Sequence, residues 1–165
     1  MSACRARLRI LITISLLAAS LATARVDGQG PAPWLGTWHL NVDKSTWVPG
    51  PAPYKRGTWA IRPAEGDRLL MVYNLVGTRG GVTHMEWIGQ FDGADYPMQG
   101  PDAPVTYAYT PIDDRTLSLV VKVDGNIAAT AKVALLPDGR TIETETTSTN
   151  ARLGRVTTKS IYEKK

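Results

Sequence analysis

Two pairs of side chains stand at spacings that chemistry uses. His84 and Glu86 are two residues apart, which in an extended chain places them on one face and can set two ligands on one metal ion. Glu143 and Glu145 repeat the spacing as carboxylates, the residue type of general acid and base work. Neither pair has companions. A metal site needs a third ligand and supporting hydrogen bonds, and nucleophilic catalysis needs a base beside Ser or Thr that is itself oriented by a third group. His39 and His84 both lack a nucleophile-elbow context. The sequence therefore assigns no catalytic residue, no metal site and no cofactor. Asp95, beside Tyr96-Pro97, is the one acid expected to merit a test for burial in a loop, while Asp113-Asp114 reads as a turn.

The elements that position these residues are strands. Glu65-Gly66-Asp67, Thr78-Arg79-Gly80-Gly81, Asp92-Gly93, Asp124-Gly125-Asn126 and Pro137-Asp138-Gly139 supply the residues that tight hairpins require. Between them the pattern has period two. Leu117, Leu119, Val121 and Val123 oppose Ser118 and Lys122; Ile127, Ala129, Ala131, Val133 and Leu135 oppose Thr130 and Lys132; Ile142, Thr144 and Thr146 oppose Glu143 and Glu145. The expected fold is all-β, a single antiparallel up-and-down barrel of about eight to ten strands, since closure removes the exposed edges of such a meander. Met85, Trp87 and Phe91 claim the interior of their segment, so His84 and Glu86 are expected to face solvent. Glu143 and Glu145 fall on the outer face by the same alternation.

Two stretches break the rhythm. Residues 41–54 run through Asp43-Lys44-Ser45-Thr46-Trp47 into Pro49-Gly50-Pro51-Ala52-Pro53, and proline lacks the ladder donor of a central strand. A long first loop is expected over residues 43–53, laid across the barrel mouth with Trp47 turned inward. Residues 92–104, with three prolines, are expected to form an ordered loop or a very short strand.

The amino-terminal residues read as an export signal. Arg5, Arg7 and Arg9 precede an uncharged, mostly apolar run at residues 10–22, and Ala22-Thr23-Ala24 offers small residues for cleavage before Arg25. Thirteen residues fall short of the roughly 20 that span a bilayer, so no membrane anchor is expected. Removing three arginines from 19 basic residues leaves 16 against 15 acids, a net charge of +1 in place of +4. That near-neutral balance lacks the basic stripe of a nucleic-acid binder. Cys4, the single cysteine, leaves with the signal. The organisation is a signal peptide at 1–24, a disordered segment at 25–33 and one barrel domain at 34–163, in a periplasmic or extracellular setting.

Gly36-Thr37-Trp38-His39-Leu40-Asn41, Asp43-Lys44-Ser45, the Pro49 to Pro53 run, Phe91-Asp92-Gly93 with Asp95-Tyr96-Pro97, and Ile161-Tyr162 resemble small secreted bacterial lipocalin-like proteins. Gly36 and Trp38 then belong to a barrel end, with Trp38, Leu40 and Val42 pointing inward. Lipocalins pack an arginine over this tryptophan. Lys159 stands in its place if Ile161 faces inward, but not if Tyr162 does. The resemblance implies a binding protein without enzymatic activity, holding a small apolar or amphipathic molecule. Trp47, Met85, Trp87, Thr144 and Thr146 are its candidate ligand contacts, with Ile127, Val133 and Thr158 adding to a mixed lining. The alternatives are an isomerase or hydrolase on the same barrel and a filled structural barrel of the cell envelope.

Overall fold

The computed structural model describes residues 31–165; the expected export signal, Cys4 and the expected cleavage position before Arg25 lie outside the described residues, as does most of the segment expected to be disordered. A single 3-10 turn (Ala32–Trp34) leads into ten strands: β1 (Gly36–Val48), β2 (Tyr54–Ala64), β3 (Arg68–Gly77), β4 (Val82–Gly89), β5 (Tyr96–Gln99), β6 (Val105–Asp113), β7 (Thr116–Val123), β8 (Asn126–Leu135), β9 (Thr141–Asn150) and β10 (Gly154–Lys164). Each pairs antiparallel with its chain neighbour, and β1 also pairs with β10, so the sheet closes into an up-and-down barrel. Closure leaves no unpaired edge. The irregular stretch after β4 holds only the four-residue β5.

Period two places side chains on alternate faces, and the core follows it. Leu69, Met71, Tyr73 and Leu75 are buried along β3 while Arg68 and Asn74 are exposed. Ala131, Val133 and Leu135 do the same on β8. Ile127 departs from its expected inward place and is 67% exposed. Val121 pairs with Ala129 and Lys122 with Ile127, so Ala128 is an extra residue that flips the pleat and turns Ile127 outward.

A larger irregularity corrects the first loop. Residues 43–48 belong to β1, and Trp47 pairs with Thr158 of β10. Between Asn41 and Thr46 the β1 register jumps, and the bulged segment is fastened by its own polar groups. Ser45 donates from Oγ to the Asn41 carbonyl at 2.6 Å and accepts the Ile161 N–H at 2.9 Å. Lys44 and Asn41 both bind the Glu163 carboxylate, at 2.7 and 3.0 Å. Asp43-Lys44-Ser45 thus forms a bulge, and the true connection is the proline run 49–53. Val42 lies in the bulge and lines an outer groove with His39 and Asn41, so it does not share the interior with Trp38.

The closed end is built on Trp38, which is fully buried. Its indole N–H donates to the Trp34 carbonyl at 2.9 Å, and the Lys164 ammonium lies 4.4 Å from its ring centroid. Trp34 in turn meets Phe91 edge-on at 6.2 Å. Gly36 is required by this packing: its φ is +134°, and a Cβ there would lie 2.9 Å from Lys164 Cε. Lys164 therefore takes the place assigned above to Lys159. Tyr162 faces the interior, as does Lys164 two residues on, and Lys159 is on the outer face, bonded to Glu143 at 2.9 Å.

Truncating Trp38 to Ala should cost about 3 to 5 kcal/mol, the usual penalty for a buried aromatic. Lys164→Met, which keeps the stem and removes the charge, should cost about 1 kcal/mol. Chemical denaturation of both variants measures this, and a fully stable Trp38→Ala protein would overturn the role of Trp38 as the plug of the closed end.

Candidate functional site

The halves of the barrel are filled differently. Toward the closed end Trp87 is fully buried, meets Tyr109 edge-on at 5.1 Å and Tyr96 at 5.7 Å, and stacks on Phe91. Its indole N–H reaches the Tyr107 carbonyl at 3.3 Å. A Cβ on Gly89 would sit 2.5 Å from the Trp87 ring and 2.6 Å from the Tyr96 ring, so these rings pack directly against the Gly89 backbone.

Above this aromatic floor lies a cavity of about 220 Å³. Trp59, Tyr73, Tyr107, Tyr109 and Tyr162 form its aromatic walls, Leu75 and Met85 add apolar surface, and Thr144, Thr146 and Ser160 present hydroxyls from β9 and β10. Hydroxyls gather there because the inward positions of those strands are small and polar above Ile142. Tyr54, Thr146, Ser160 and Tyr162 also line a second space of about 530 Å³ at the barrel mouth, bounded by Trp47, Leu153 and the prolines of the β1–β2 connection. The two spaces are neighbours, separated by these four shared lining residues. No charged side chain lines either part.

The sequence-derived candidates separate accordingly. Met85, Thr144 and Thr146 line the inner cavity, Trp47 and Thr158 line the mouth, and Trp87 lies outside the cavity wall in the floor packing. The six aromatic wall residues, Tyr54 included, were not among those candidates. Their signal is parity: Tyr107 and Tyr109 are two apart, and Tyr73 shares the face of Met71 and Leu75.

Inside, polar groups are scarce and specific. The Tyr73 and Tyr109 hydroxyls are hydrogen-bonded at 2.8 Å, and Tyr73 also lies 3.6 Å from Met71 Sδ. Trp59 stacks on Tyr73 at 5.3 Å and meets Tyr162 edge-on at 5.7 Å. Although Trp59 is only 2% exposed, its indole N–H has no acceptor. A buried donor left unpaired is costly. Burial pushes the Tyr107 hydroxyl up to about 12 and raises Tyr73, Tyr109 and Tyr162 as well. At neutral pH these phenols are uncharged hydrogen-bonding groups.

The outer-face candidates are paired on the surface. His84 Nδ1 lies 2.7 Å from Asn74 Oδ1 and its Nε2 lies 3.1 Å from Glu86 Oε1. Among the described residues no group of three His, Cys, Asp or Glu is placed to hold a metal. Asp95 is bonded to Lys122 at 2.6 Å on the outside, and Asp92 caps its loop instead. The carboxylate of Asp92 accepts the Ala94 N–H and the Tyr96 hydroxyl, which hold it below the usual carboxylate range.

No protein-family model matches the chain. No curated protein matches it in sequence. Among the solved structures similar to it are two β-barrels. One, described as EF1p2_mFAP2b bound to DFHBI, is 12% identical with a TM-score of 0.48, over 84% of this chain and 98% of that one. The other, a redesigned beta barrel, mFAP1, bound to DFHBI, is 16% identical with a TM-score of 0.44, over 82% and 98%.

The buried phenols set an alkaline limit. Their folded pKa values lie above the unfolded value of about 10, so their contribution to stability is complete below that pH. It is lost as pH rises through the folded values, near 12 for Tyr107. Tyrosinate absorbance of these four residues should therefore appear together with loss of the β circular-dichroism signal. Their ionisation near pH 10 with the barrel intact would contradict this.

Proposed function

We propose that this protein is an exported, lipocalin-like binding protein, without enzymatic activity, whose barrel takes up a small neutral amphipathic molecule. The observation that carries the reading is the uncharged lining of the inner cavity and of the adjoining mouth. A charge moved into such a lining without a partner costs several kcal/mol, so the buried part of the ligand is neutral. The inner 220 Å³ exceeds the roughly 150 Å³ of an engineered cavity that holds benzene. One ring or a short acyl segment fits there, with the rest of the molecule extending into the mouth. Thr144, Thr146, Ser160 and the phenols supply hydrogen bonds for hydroxyl or carbonyl groups.

The lining bears no carboxylate, imidazole or amine, so a bound molecule meets no group that exchanges protons readily at neutral pH. This favours binding over isomerase or hydrolase chemistry, and the open interior favours it over a filled structural barrel. Support for the lipocalin-like part comes from the Gly36-Thr37-Trp38 opening with the Lys164 ammonium over Trp38. The arginine-led apolar run at residues 5–22 supports export. Mass measurement of envelope-associated protein should find a chain beginning at or within a few residues of Arg25, and an intact amino terminus would remove export from the reading.

The binding test uses N-phenyl-1-naphthylamine, a neutral fluorescent probe. Wild-type protein should bind it saturably, one probe per chain. Thr146→Phe, which narrows the junction between cavity and mouth, should weaken binding about tenfold or more, a loss of about 1.4 kcal/mol or more, at nearly unchanged melting temperature. Trp47→Ala should speed release while leaving stability nearly intact. Failure of the wild type to bind any of a panel of neutral probes would overturn the proposal.

A further inference from the structure

The chain around the mouth is mostly basic and apolar; the exposed Asp43 of the β1 bulge lies below the lip, in the outer groove that also holds Lys55 and Glu163. The mouth is bounded by β1 and the proline run, by the start of β2, and by the β9–β10 hairpin. The β3–β4 turn is tied to this lip through the Thr78 N–H, which donates to the Pro53 carbonyl at 3.0 Å. On these segments stand Lys55, Arg56, Arg79, Arg152 and Arg155, all exposed, and none has a carboxylate partner among the described residues. Between them, Val48 and Leu153 project with 62% and 53% of their surface in solvent.

The rest of the molecule is different. Across the mouth the β5–β6 and β7–β8 turns carry the acids Asp102 and Asp124. At the closed end the signs are mixed, with Glu65, Asp67 and Asp138 beside Arg68 and Arg140. One lip therefore combines unpaired cations with exposed aliphatic tips, and that pairing of features suits an anionic lipid surface. Cations are drawn to lipid phosphates while aliphatic side chains enter the headgroup layer. A nucleic-acid surface would use the cations but leave Val48 and Leu153 in water.

We infer that this lip docks the barrel, mouth first, on an anionic phospholipid bilayer. Resting on the binding reading above, the inference adds that a neutral amphipathic ligand passes between bilayer and cavity without crossing open water. Docking itself needs only the lip, so it can be tested apart from uptake.

The experiment is co-sedimentation of the purified barrel with large vesicles at low salt. The vesicles are phosphatidylcholine alone, or an equal mixture of phosphatidylcholine and phosphatidylglycerol. Wild type should sediment with the mixed vesicles and not with phosphatidylcholine, and added salt should release it. R152E/R155E should weaken the association about tenfold or more, and Leu153→Asp severalfold. R62E/R140E, which changes charge equally at the closed end, should leave it nearly unchanged. Each variant is checked for its circular-dichroism spectrum and for N-phenyl-1-naphthylamine binding in solution, which R152E/R155E should retain. Absence of wild-type association with the mixed vesicles overturns docking, as does an equal loss in both double variants. Retention on heparin without vesicle association also overturns it and marks the lip as a polyanion site. Vesicle association without probe binding upholds docking and refutes the cavity reading; probe binding without vesicle association does the reverse.

Discussion

Closure of β1 against β10 is the constraint on which the rest depends, and the Trp38 and Lys164 pair stands at its closed end. The two residues face each other across the last seam of the barrel. The ammonium over the indole ring and the indole N–H on the Trp34 carbonyl fasten the first strand, the last strand and the entering turn in one contact. A cation set over an aromatic face is attracted most strongly where water is excluded, and this ring is fully buried. Gly36 permits the lysine stem to lie close enough. With this seam made, every strand has two partners and the interior is sealed at one end.

The sealed end determines where space remains. Trp87, Phe91, Tyr96 and Tyr109 interlock above it, and toward the mouth the inward residues of β9 and β10 become Thr144, Thr146, Ser160 and Thr158. Small hydroxylated side chains on one wall face larger tyrosines on the other, so the lining keeps hydrogen-bonding capacity without charge. The strongly raised phenol pKa values follow from the same burial.

Much of the fold was legible because alternation is a local property. Ile142, Thr144 and Thr146 faced inward and Glu143 and Glu145 outward as their spacing required, and the Gly and Asp clusters marked the hairpins. Errors arose where an irregularity shifted the phase. One extra residue, Ala128, turned Ile127 out to solvent, and the bulge fastened by Ser45 made strand of residues that read as loop. Trp47 reached the mouth, but as a strand residue opposite Thr158. Placing Lys159 at the closed end required Ile161 to face inward, whereas Tyr162 does.

Sequence alone determined the strand class, the turn positions and the interior face of most strands, because each rests on interactions between near neighbours in the chain, and the Gly36-Thr37-Trp38 pattern marked the closed end by resemblance. Tertiary structure decided that Lys164 covers Trp38, that Trp87 is floor and not cavity wall, and that the tyrosines of β3, β6 and β10 share one chamber. These depend on register between distant strands and on height along the barrel axis, which bulges alter and period-two spacing does not encode.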